Sequence, residues 1–165
     1  MRLFVLFSFV SFSLGAENWP GWRGPRGDGT SLEKNIPIQW SATENLAWKA
    51  TLPGRGHSSP VIWGDKIFLL SCLPEKEERV LLCLHRRTGK SLWQRTVLKT
   101  PLEAIHRLNS RASSTPVTDG KFVYVTFMKV SDQKIPAPNV GSPRLISPGT
   151  IMVAAYDMAG EKQWA

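Results

Sequence analysis

Apolar and polar positions alternate in two passages that resemble one another. The first reads SSPVIWGDKIFLLSC, then a polar turn, then RVLLCLHRRTGKSLW. The second reads SSTPVTDGKFVYVTFMKV, then a long loop, then GTIMVAAYDMAGEKQW. Each opens on Ser/Thr-Pro-Val, turns on Gly-Asp or Asp-Gly before a lysine, and continues as an aliphatic and aromatic strand. Each then has a second apolar strand, a glycine turn and a tryptophan. β-Branched and aromatic residues concentrated between turn signals predict four strands in the first passage, near 59–63, 66–72, 79–85 and 91–97. Pro60 and Pro116 fall at strand starts, where a missing N–H costs least.

Spacing supports a common unit with insertions. Pro60 to Trp93 is 33 residues and Pro116 to Trp164 is 48, the excess lying in the proline-rich loop SDQKIPAPNVGSPRLISPG. Trp48, in NLAWKATL, ends an earlier and abbreviated unit, so a bare repeat is the 45 residues from Trp48 to Trp93. Four strands recurring every ~40–45 residues describe a β-propeller blade. The expected fold is therefore all-β, a β-propeller of four-stranded antiparallel blades, with about two blades and a partial one present. The units lie near 17–52, 53–97 and 98–165. In this frame Gly89 and Gly160 make the turns into the fourth strands. Trp48, Trp93 and Trp164 are expected as wedges between neighbouring blades.

That frame decides how to read Thr88-Gly89-Lys90-Ser91, which has the ending of a phosphate-binding P-loop. Such a loop needs a glycine five positions before Gly89, so that backbone N–H groups can wrap the phosphates. Leu84 stands there, within the apolar run Val80-Leu81-Leu82-Cys83-Leu84. The stretch is a strand-connecting turn. Cys72 and Cys83 flank a hairpin turn near Lys76, which sets Cys72 opposite roughly Val80 and ~10 Å along the strand from Cys83. That separation is too wide for a disulfide, so two buried thiols are expected.

The net charge is +8, but Lys and Arg are scattered and form no basic helix or aromatic-interleaved strip. The first sixteen residues have a short positive start, an apolar run and a small-residue end at Leu14-Gly15-Ala16. This is the layout of a secretory signal peptide, cut after Ala16 or Gly15. Removing it takes away only Arg2 and leaves a net charge of +7. Export to the periplasm or cell envelope makes nucleic acid an unexpected partner and leaves acidic glycans as one candidate. His57 and His106 each precede the first strand of a unit, the strand nearest a propeller axis. With Asn109, and with Arg55 and Arg111 nearby, they are the candidate ligand-binding residues at a channel mouth. No histidine or cysteine pair has metal-site spacing.

CLHRRTGKSLW, Cys83 to Trp93, resembles the pyrroloquinoline-quinone (PQQ) repeat Ala-x-Asp-x-x-Thr-Gly-Lys-x-x-Trp at Thr88, Gly89, Lys90 and Trp93. Cys83 and His85 replace its usual alanine and aspartate. AYDMAGEKQW keeps Asp157, Gly160 and Trp164 with a shorter turn, and ENWPGWRGPRGDGTS and HRLNSRASSTPVTDG are similar to segments of exported bacterial PQQ-like propeller proteins. The resemblance implies either of two roles. Some members are quinoprotein dehydrogenases holding PQQ and calcium; others, such as the assembly factor of the outer-membrane β-barrel machinery, are docking platforms. The adjacent Cys-Cys pair typical of the dehydrogenases is missing. The expectation is accordingly a binding and scaffolding module with no catalysis and no cofactor in this segment, partnered by a protein or envelope component. Two blades would leave strand edges and apolar faces open, so an N-terminal fragment of a longer propeller is expected. The alternative is the N-terminal part of a PQQ-dependent alcohol dehydrogenase.

Overall fold

Turn chemistry and alternation build the first sheet much as expected. In the computed structural model, which describes residues 16–138, 141 and 143–165, it comprises β1 (Val61–Trp63), β2 (Lys66–Leu73), β3 (Glu78–His85) and β4 (Ser91–Lys99). They pair antiparallel in the order β1-β2-β3-β4. The signal peptide read at 1–16 lies outside the described residues except for Ala16. The second sheet uses β5 (Val117–Thr118), β6 (Phe122–Val130), β9 (Gly149–Asp157) and β10 (Lys162–Trp164) in the order β10-β9-β6-β5. Inside the loop joining β6 to β9, β7 (Ile135–Pro136) and β8 (Leu145–Ile146) form a small ribbon of their own. The protein is all-β, with two four-stranded antiparallel sheets. No closed ring of sheets is present among the described residues.

The hairpin between β2 and β3 runs through a 3-10 turn at Pro74–Lys76, and Glu77 takes a left-handed φ of 55°. This connection pairs Leu73 with Glu78 and Cys72 with Arg79, one position from the expected partner Val80. Cys83 lies opposite Phe68, well along the strand. Both thiols are free and buried.

One face of the first sheet packs against the second. Phe68, Leu70 and Cys72 of β2, with Leu81 and Cys83 of β3, form a continuous core with Val123, Val125 and Phe127 of β6 and with Ala154 and Tyr156 of β9. Period-two alternation places these residues on facing surfaces. Fully burying each large aliphatic or aromatic side chain contributes about 1.5–3 kcal/mol.

At the rim of the stack, indole rings rest on glycines. A Cβ built on Gly89 would lie 2.3 Å from the Trp48 ring, and one on Gly160 would lie 2.8 Å from the Trp93 ring. Both glycines have left-handed φ, 67° and 85°, so a side chain there is excluded by backbone strain and by the indole together. Trp93 thus leaves β4 of the first sheet and covers the turn between β9 and β10 of the second. Arg95 reinforces the contact: Nε donates to the Gly160 carbonyl at 2.7 Å, Nη2 meets Glu161 Oε1 at 3.1 Å, and the guanidinium carbon stands 5.6 Å from the Trp93 ring centroid. A second indole on glycine joins the two sheets, Trp63 against Gly120, where an added Cβ would come within 2.2 Å of the ring.

Ahead of the first sheet, residues 16–55 run as an arm without named strands. Two isolated bridges tie it down, Trp19 with Ile62 and Arg55 with Cys72. Trp48 Nε1 also donates to the Arg86 carbonyl at 2.8 Å. Where the repeat suggested a partial blade over 17–52, the chain supplies the tryptophan wedge without the sheet around it.

Candidate functional site

Two features stand out once the sheets are stacked: the uncovered face of the second sheet, and a cleft beside the loop that links the sheets.

The uncovered face is defined by register. Val61 pairs with Phe68 and Val117 with Tyr124 at matching positions in the two sheets. Following the ladders across, Phe68 pairs with Cys83 and Cys83 with Trp93; Tyr124 pairs with Ala155 and Ala155 with Trp164. Leu70 opposite Leu81 corresponds to Thr126 opposite Val153, and Cys72 opposite Arg79 to Met128 opposite Ile151. The aromatic pairs match in geometry: Phe68 and Trp93 have ring centroids 5.8 Å apart at 43°, Tyr124 and Trp164 6.2 Å apart at 42°. Several side chains differ, Thr126 standing for Leu70 and Ile151 for Arg79, and so do the surroundings. Ile151 is 71% exposed, Trp164 50% and Val153 41%. Trp164, read from sequence as a wedge, has no neighbouring sheet's glycine beneath it among the described residues.

The linking loop is pinned from several sides. Arg79, wholly buried on β3, donates through Nη1 to the Thr100 carbonyl at 2.6 Å and through Nη2 to the Pro101 carbonyl at 3.1 Å, and it pairs with the Glu103 carboxylate. Arg111 Nε donates to the Glu103 carbonyl at 2.9 Å. The His57 N–H reaches the Ala112 carbonyl at 3.0 Å and Ser110 Oγ at 3.1 Å. The loop is therefore held against the end of the first sheet, and a cavity of about 690 Å³ opens between them.

Of the candidate ligand residues, His57 and Asn109 meet in this cavity with Arg55 and Arg111. His106 lines a neighbouring cavity of about 740 Å³, which Asn109 also borders. His106 Nδ1 accepts the Leu108 N–H at 3.3 Å, so one ring nitrogen shapes the turn. Sequence reasoning missed Arg107, which lines both cavities. Its signal was present in HRLNSR, but nothing in the repeat distinguished it from other scattered arginines. Among the described residues, no group of three His, Cys, Asp or Glu side chains is placed to hold a metal ion.

Burial and hydrogen bonding shift several ionisable groups near these features. Burial pushes the Cys83 thiol up to about 12. The Cys72 thiol is also raised by burial, against the opposing pull of the Arg79 and Arg111 charges. Asp119 is lowered because its carboxylate accepts the Phe122 and Lys121 N–H groups at 2.7 and 2.8 Å and the Tyr124 hydroxyl at 2.9 Å. It fixes the turn between β5 and β6.

Compared with known protein families, curated proteins and solved structures, the chain matches none.

Proposed function

We propose that this chain is a segment of an exported, PQQ-like β-propeller that serves as a binding and scaffolding platform and carries out no catalysis of its own. The observation that carries the reading is the equivalence of two sheet faces. Each residue on the uncovered face of the second sheet has a counterpart on the face of the first sheet that the second one covers. A surface patterned in this way suits a further sheet of the same design, with a glycine turn for Trp164 to cover. Stacked repeats bury what a single unit leaves exposed.

The platform role rests on what the sheets use their polar groups for. Asp157 Oδ1 accepts the Ala159 and Glu161 N–H groups, each at 2.9 Å, so the carboxylate nearest the PQQ-repeat pattern is occupied as a turn former. Its counterpart in the first unit is His85, which meets the Thr88 hydroxyl at 3.1 Å in the equivalent turn.

Calorimetric titration with PQQ and calcium, followed by dye-linked alcohol oxidation, tests the absence of catalysis. No tight binding and no turnover are expected; tight binding with turnover would establish the dehydrogenase reading instead. Sedimentation tests the face. The chain is expected to self-associate with rising concentration, and Ile151→Lys with Val153→Lys to suppress it. A monomer that melts sharply and reversibly without those changes would contradict the reading.

A further inference from the structure

Three arginines line the cleft at the end of the first sheet. Arg55 comes from the arm, and Arg107 and Arg111 from the linking loop; Glu75 is the one acidic side chain lining it. Among the described residues, Arg55 and Arg107 make no side-chain hydrogen bond or ion pair, and Arg111 engages only its Nε. Asn109 points the same way. Its Oδ1 accepts the Ser110 N–H at 2.8 Å and the Ser113 hydroxyl at 3.1 Å, which leaves the side-chain amide to donate. The free polar capacity of the cleft is thus mostly N–H donors, with a surplus of positive charge.

From this lining we infer that the cleft is a binding site for a ligand bearing two or more clustered carboxylate groups, supplied by an acidic oligosaccharide or by a free polycarboxylate. Guanidinium groups match carboxylates through paired, charge-assisted hydrogen bonds. Several of them around one concavity favour an oligoanion over a single charge. Rigidity adds to the case. Arg111 is fixed through Glu103, whose carboxylate is in turn held by buried Arg79, so one guanidinium is positioned before any ligand arrives. A pre-positioned donor loses little freedom on binding. The volume, about 690 Å³, is of small-ligand size. The inference depends on the cleft alone and not on how many sheets stack beyond the second.

Isothermal titration calorimetry of the whole chain with citrate and with trigalacturonate provides the test. Saturable binding of at least one probe is expected, weakened about tenfold by Arg107→Gln or Arg55→Gln, the loss typical of one hydrogen bond to a charged group. Neither side chain supports the fold, so the variants should melt like the parent. Lys162→Gln removes the same charge from β10, at the outer edge of the second sheet, and should leave affinity unchanged. Binding confined to trigalacturonate would assign a saccharide, and binding confined to citrate a free acid. No saturable binding of either probe, or an equal loss in Lys162→Gln, would overturn the inference.

Discussion

The inner face of the first sheet and the outer face of the second carry corresponding residues in corresponding register, yet one is core and the other surface. Leu81 is fully buried, whereas Val153 at the same place is 41% exposed. Trp93 lies over the Gly160 turn with Arg95 beside it, whereas among the described residues Trp164 rests on no glycine turn and pairs with Tyr124 of its own sheet. The register is shared, so much of the difference in exposure follows from the neighbour. A blade-like unit of this kind makes its own hydrogen-bonded ladder but needs the next unit to finish its core.

That comparison can be broken by paired substitutions. Trp93, partly buried against the core, should on replacement by alanine lower unfolding free energy by ~3 kcal/mol in denaturant titrations, the low end of the range for large aromatic side chains. Trp164→Ala should cost under ~1 kcal/mol, as expected of a side chain half in water. Equal losses would mean that the two faces are not distinguished by their covering. The aliphatic pair sharpens the point: Leu81→Ala should cost ~2–5 kcal/mol and Val153→Ala much less, measured in the same way.

Glycine turns give a smaller contrast. Gly160 and Gly27 both have left-handed φ, but an added Cβ meets the Trp93 ring at Gly160 and nothing within 4 Å at Gly27. Alanine at position 27 should cost the backbone strain alone, ~1–2 kcal/mol, and alanine at position 160 distinctly more. The covered face also carries a pH effect. The folded Cys83 thiol is raised to about 12 from an ordinary 9.0. Its contribution to stability is fully present below about pH 9 and is lost as pH rises toward 12, because only the unfolded chain ionises in that window. Cys83→Ala should flatten the alkaline loss of stability over that range, and thiol reagents should reach Cys83 only on unfolding.

Much of this was legible in the chain because the signals repeat. Gly89 with Trp93 and Gly160 with Trp164 recur at fixed places between strands, so a turn and a wedge follow from spacing and sterics. Trp63 on Gly120 was missed for the opposite reason. Asp119 precedes the turn glycine in the second unit, and no second tryptophan marks the position. Arg79 also gave no signal. An arginine in an apolar strand reads as an exposed residue until the fold brings the Thr100 and Pro101 carbonyls and the Glu103 carboxylate around it. His57 and Asn109 line one cavity because residues just ahead of first strands share one end of the stack. Which arginines join them depends on the path of a long loop, and no periodicity encodes that path.

The central claim is that a tryptophan of one sheet is seated on the glycine turn of the next. A double-mutant cycle on Trp93→Ala and Gly160→Ala, read by equilibrium unfolding, addresses it most directly. The account predicts that Gly160→Ala is markedly less costly once the indole is gone, with only backbone strain remaining and a coupling of about 1 kcal/mol or more. Costs that add to within ~0.5 kcal/mol would mean that the ring and the turn do not touch, and the stacked-sheet account would fail.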